Sequence, residues 1–150
     1  MKTDVKKLER GDFVSRISFM QVTSMGLNDM IGVTNEDGFS WGISPGIIEE
    51  ECYSTNVDSE EKLPKTAIAE ILMSAKDAII EVCFDKANGE ERVLTGYVIG
   101  AEPVLGRTIA IDITIPKKMR TTKEWDERQR QVDHRTLKWL VYKNVKYIVE

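Results

Sequence analysis

The chain has 150 residues, 41% of them hydrophobic and 31% charged, with a formal net charge of −4. That length accommodates one ordinary domain or two small ones with a sizeable core. The longest apolar stretches, such as Ile109 to Ile115, fall far short of the roughly 20 residues a membrane span needs, which excludes a transmembrane helix.

Two cysteines and a single histidine exclude a familiar four-ligand zinc pattern, so Cys52 and Cys83 are expected to be structural, buried thiols. The first seven residues carry charge but lead into no apolar signal region, so a cytoplasmic location is expected. Charge is unevenly spread. Residues 1–66 hold 7 basic and 12 acidic side chains, residues 67–106 hold 3 and 7, and residues 107–150 hold 11 and 6. The last third is therefore cationic, a footprint that faces phosphate in some proteins and only solvent in more.

In chain order, Arg10-Gly11-Asp12 reads as a turn, and Phe13 to Val22 alternates apolar and polar residues as a strand does. Met30 to Thr34 and Phe39 to Ile43 alternate again, and Asp37-Gly38 between them favours the positive φ of a hairpin turn. Ile47 to Tyr53 predicts a short strand or a turn of helix. Several short strands within about fifty residues suggest a curved sheet or barrel that hides its edges.

Residues 54–65 are polar and acidic and read as a linker. Beyond Pro64, Ile68, Ile71, Leu72 and Ala75 follow helical spacing, predicting one short amphipathic helix over residues 66–76. Ala78 to Lys86 and Arg92 to Gly100 then form a hairpin about Asn88-Gly89, and Arg107 to Ile115 forms a strand that should stop at Pro116. Lys117 to Gln131 predicts a charged loop or short exposed helix. Val132 to Val141 and Tyr142 to Val149 are expected to close the sheet. The class predicted is mainly β with one short helix, in two small SH3-like or Sm-like barrels: a module over 1–55, an acidic linker over 56–65, and a helix plus barrel over 66–150.

Gly11-Asp12-Phe13-Val14, Asp37-Gly38 and Trp41-Gly42-Ile43 look like the SH3-like barrels of the KOW and Tudor type. Phe84 to Arg92, Arg130 to Leu137 and Lys143 to Tyr147 resemble small Sm-like or WYL-type barrels of large bacteriophages, over roughly half the chain. The combined layout resembles the MotB-like transcription modifiers of T-even bacteriophages. That resemblance implies a KOW-like module and association with double-stranded DNA, although the acidic first module departs from what a KOW-type DNA binder should show.

No catalytic motif accompanies the lone His134, so no enzymatic activity and no cofactor are expected. An ordinary strand or turn position suits His134 better than phosphate contact or general-base work. Glu49, Glu50 and Glu51, read as a strand, would alternate faces and form a solvated edge rather than a metal site. Gly89, Gly96, Gly100 and Gly106 lack a phosphate-loop context and read as turn glycines. Trp41 and Trp139 are expected to pack in the core, while Trp125 would anchor its charged loop or meet a partner.

The predicted phosphate-facing set is Lys117, Lys118, Arg120, Lys123, Arg128, Arg130 and Arg135, with Lys138, Lys143 and Lys146 on the closing strands. The function expected from it is non-specific binding of duplex DNA through backbone phosphates, in transcription or genome handling. The alternative is an adaptor that binds a host protein through its acidic first module.

Overall fold

The computed structural model describes residues 2–16, 19–27, 30–75, 78–102, 105–115 and 127–150. The first sheet comprises β1 (Phe13–Ser15), β2 (Phe19–Leu27), β3 (Met30–Asn35), β4 (Ser40–Ile43) and β5 (Tyr53–Ser54), in the order β4-β3-β2-β1-β5. The second comprises β6 (Ser59–Leu63), β7 (Ile80–Asp85), β8 (Glu91–Glu102), β9 (Arg107–Asp112), β10 (Gln129–Asp133), β11 (Leu137–Tyr142) and β12 (Val145–Val149), in the order β10-β9-β8-β7-β11-β12-β6. Two helices of seven residues, α1 (Pro45–Glu51) and α2 (Ile68–Ser74), complete the fold. As expected, the class is mainly β.

Both sheets are built on one plan. Four antiparallel strands run as a meander, a helical turn follows, and the fifth strand returns to pair with the first. In the first sheet the helical turn is α1, started by Ser44, whose hydroxyl accepts the Ile47 N–H, and by Pro45 at its first position. In the second it is the 3-10 turn His134–Thr136, capped by Asp133. Alternating side chains then meet on one face of each meander: Val14, Val22, Val33 and Ile48 in the first core, and Val82, Leu94, Ala110 and Leu140 with Ile68 and Leu72 of α2 in the second.

Neither sheet is a closed barrel, contrary to the sequence reading. In the first, β5 has only two residues and pairs with β1 alone, while Ile48 of α1 fills the core beside it. In the second, the far edge of β11 is taken by β12, so β10 has no second ladder among the described residues. The predicted linker also differs: Ser59–Leu63 is a strand, paired in parallel with β12, with Leu63 buried in the second core. Its one apolar anchor leaves no periodic signal to read. β9 ends at Asp112 rather than at Pro116, because the Asp112 carboxylate accepts the Thr114 N–H at 3.0 Å and turns the chain. The closing strands do form, and β11 pairs back to β7 as a sheet-closing segment would.

A third apolar cluster joins the modules. Ile79, Tyr97, Ile111 and Ile113 of the second pack with Phe13, Phe19 and Tyr53 of the first. The Phe19 and Tyr97 rings stack with centroids 4.0 Å apart, and the Ile79 N–H donates to Ser15 Oγ at 3.0 Å. Two of the predicted turn glycines, Gly96 and Gly100, lie instead within β8. Gly96 is needed there because a Cβ would fall 1.6 Å from the Ile111 carbonyl oxygen, whereas one at Gly100 would meet nothing within 4 Å. Gly96→Ala is therefore expected to lower stability by more than about 2 kcal/mol in denaturant unfolding, and Gly100→Ala by no more than about 1 kcal/mol.

Candidate nucleic-acid interface

The β11–β12 hairpin turns on Lys143 and Asn144, with φ of 48° and 68°. Two consecutive positive values are those of a type I′ turn, which matches the twist of paired strands but favours Asn and Gly. Asn144 meets that demand and is buried. Its backbone carbonyl accepts the Asp58 N–H at 2.8 Å, and its side-chain amide donates to the Lys2 carbonyl. The turn thus ties the start of the chain to the approach of β6, and Lys143 is held at its tip.

Three lysines and three aromatic rings gather around this hairpin. Lys2 Nζ lies 4.5 Å from the Tyr53 ring centroid, and Lys143 Nζ lies 5.4 Å from the same ring and 5.2 Å from that of Tyr142. Lys146 Nζ lies 4.6 Å from the Trp139 ring. Each separation is within cation–π range. The Tyr142 hydroxyl is the main cause of a Lys143 pKa above its ordinary value.

Sequence reasoning named Lys143 and Lys146 but missed Lys2, Tyr53 and Tyr142. Lys2 meets the hairpin across 142 positions of sequence, and no local pattern announces that contact. The turn falls two residues into the stretch Tyr142 to Val149 that the sequence assigned to the last strand, so that strand starts later, at Val145.

The other predicted cations are placed differently. Arg128 is buried in the seam between modules, where its Nη1 donates to Glu36 Oε1 at 2.8 Å; it cannot serve as an exposed phosphate contact. Tyr97 donates to the same carboxylate oxygen at 3.3 Å. Arg130 folds back onto the carbonyls of Glu127 and Gln129, each at 2.7 Å. Arg135 pairs with Asp133 beside it, and Lys138 with Glu91 and Asp85, so each carries its own counter-charge. These partners hold the pKa of Arg135 and Lys138 above their ordinary values. Lys117, Lys118, Arg120, Lys123 and Trp125 lie outside the described residues.

Trp139 is half-buried beneath Lys146, and Trp41 is 40% exposed at the sheet margin rather than enclosed in the core. Cys52 and Cys83 are buried and unpaired, as expected. Glu49, Glu50 and Glu51 are on α1, not on a strand, and Glu51 pairs with Arg16 at 2.6 Å. Among the described residues no three His, Cys, Asp or Glu side chains form a group that could hold a metal, and no helix is long and apolar enough to cross a membrane.

A cleft of about 150 Å³ opens at the seam between Phe13, Phe19, Gln21, Asn35, Glu36 and Arg128. Its polar groups are already committed within the protein. Gln21 donates to the Gly11 carbonyl, Asn35 accepts the N–H groups of Asp37 and Phe39, and Glu36 holds Arg128.

No family model, no curated protein and no solved structure matches the chain. The class is the one the fold defines, a mainly β protein of two sheets, each built on a four-strand meander with a returning fifth strand, joined by an apolar seam.

Two expectations follow from the buried polar groups. Arg128→Ala strands a largely buried carboxylate and should cost about 3 kcal/mol in denaturant unfolding; pairing Arg128→Met with Glu36→Gln should recover most of that loss, because neither charge is then left alone. His134 is buried on the 3-10 turn with Nε2 2.6 Å from Thr108 Oγ1, and burial pushes its pKa below the ordinary 6.5. The neutral ring therefore contributes its full stability above pH 6.5, and that contribution is lost as pH falls through the depressed folded value. Melting temperatures measured from about pH 7.5 to about pH 5 should fall more steeply for the native protein than for His134→Gln.

Proposed function

We propose that the protein binds nucleic acid, taking the phosphates of duplex DNA on the lysine-bearing hairpin with little reading of sequence, in transcription or genome handling in the cytoplasm. The observation that carries this reading is Lys143. A lysine occupies a left-handed turn position that Asn or Gly would fill at lower cost, and it stands between two tyrosine rings beside Lys2. Lysines held in fixed positions are the groups with which proteins contact the phosphate backbone of a duplex. The resemblance to MotB-like transcription modifiers supports the same reading. On this proposal Lys117, Lys118, Arg120 and Lys123 also contribute positive charge to phosphate binding.

Fluorescence anisotropy with a labelled duplex over a salt series tests it. Affinity should fall linearly in log–log form as salt rises, and Lys143→Ala with Lys146→Ala should make the slope shallower by about 2. Lys138→Ala, which removes a cation already paired with two carboxylates, should leave the slope unchanged. Replacing Lys117, Lys118, Arg120 and Lys123 by Ala should also flatten the dependence. Absence of binding at low salt would end the proposal.

A further inference from the structure

From Ile17 to Glu51 the chain carries six acidic residues and no lysine, arginine or histidine. This stretch builds β2, β3, β4 and α1. Basic partners reach it from elsewhere: Arg128 at Glu36 and Arg16 at Glu51. Asp37 at the tip of the β3–β4 turn and Glu50 on α1 are solvent-exposed.

The same region holds an exposed apolar group. Phe39 is 68% exposed, Trp41 40%, Met25 39% and Met30 38%. Trp41 is on β4 and Phe39 immediately precedes it; β4 is an edge strand whose only partner among the described residues is β3.

Protein sheets usually blunt such edges with charge, proline or a bulge. The β6 edge of the second sheet has that protection in Glu60, Glu61 and Lys62. β4, Ser-Trp-Gly-Ile, has no charge and no proline, and its pairing with β3 runs without a register shift. Trp41 is registered with Val33 on one face of the sheet. On the other, Met30 lies where a Cβ on Gly42 would touch it at 3.4 Å. A strand added beside β4 would therefore find an apolar neighbour on each face and, between them, main-chain groups that no other described strand pairs.

We propose that β4 receives an extended, cationic segment of a partner protein as a sixth strand of the first sheet. Main-chain hydrogen bonds to the open edge would supply affinity. Apolar side chains of the segment would cover Trp41 and Met30, and its basic side chains would suit a stretch from Ile17 to Glu51 that carries six acidic and no basic residues. The acidic field selects the sign of the partner, and strand addition selects its conformation. The proposal stands apart from the nucleic-acid reading, since it uses the opposite charge and no residue of the β11–β12 hairpin.

The test uses the full chain and a short peptide alternating valine and lysine, monitored by amide NMR shifts. Saturable shifts confined to Phe39–Ile43 and the facing residues of β3 are expected, with no comparable response to a valine–glutamate peptide. Trp41→Ala, Phe39→Ala and Glu50→Lys should each weaken binding by about tenfold. Phe39 lies outside the core, so its variant carries the test should Trp41→Ala perturb the fold. Equal binding of both peptides, or absence of shifts at β4, would overturn the proposal. So would concentration-dependent β4 shifts without peptide, accompanied by dimers in sedimentation, which would make a second copy the occupant.

Discussion

The arrangement depends on one contact across the seam, Glu36 with Arg128. Glu36 is delivered by the β3–β4 turn, where Asn35 accepts the N–H groups of Asp37 and Phe39 and Gly38 takes a φ of 87°. Arg128 comes from just before β10. A buried ion pair adds little net stability, because desolvating both charges offsets most of their attraction. Its effect is directional. The apolar cluster of Ile79, Tyr97, Ile111 and Phe19 supplies the attraction between the modules, but apolar contact alone leaves sliding cheap. The ion pair, the Phe19–Tyr97 stack and the Ser15–Ile79 hydrogen bond fix one relative placement.

That placement also determines which charges remain available. It uses Arg128 to pair Glu36 of the acidic module and brings Lys2 and Tyr53 of that module to the β11–β12 hairpin. The molecule thereby has two unlike surfaces. Around the hairpin, Lys2, Lys143 and Lys146 lie over aromatic rings; β4 exposes Trp41 within a stretch of sequence that has no basic residue. A net charge of −4 describes neither surface, because it averages an acidic first two-thirds of the chain with a basic last third.

Much of the fold was legible because local rules govern it. Alternation located the strands, and Asp37-Gly38 and Asn88-Gly89 located their turns; Gly38 and Gly89 both take positive φ. What was hidden is set by contacts distant in sequence. Ser59–Leu63 is polar at four of its five positions and becomes a strand only because β12 offers it an edge. Arg128 looks like the other arginines of its segment, and only the opposing Glu36, 92 positions away, makes it a buried residue. The early end of β9 was missed for a different reason. Pro116 is a visible breaker, but Asp112 turns the chain first with its own side chain.

The hairpin tip shows how a long-range clamp permits a local cost. A lysine in the left-handed region is disfavoured by about 1 kcal/mol relative to its ordinary backbone, and a free two-residue turn would relax or be replaced by Asn-Gly. Asn144 prevents relaxation, since its main chain and side chain are bound to Asp58 and Lys2 on two other segments. The cost is spread over a network that already holds the modules together, so position 143 is free to carry a charge rather than the residue the turn prefers. A glycine there would suit the backbone better and remove the cation between Tyr53 and Tyr142, which is why the strained residue, and not the many lysines paired on the surface, carries the proposed site.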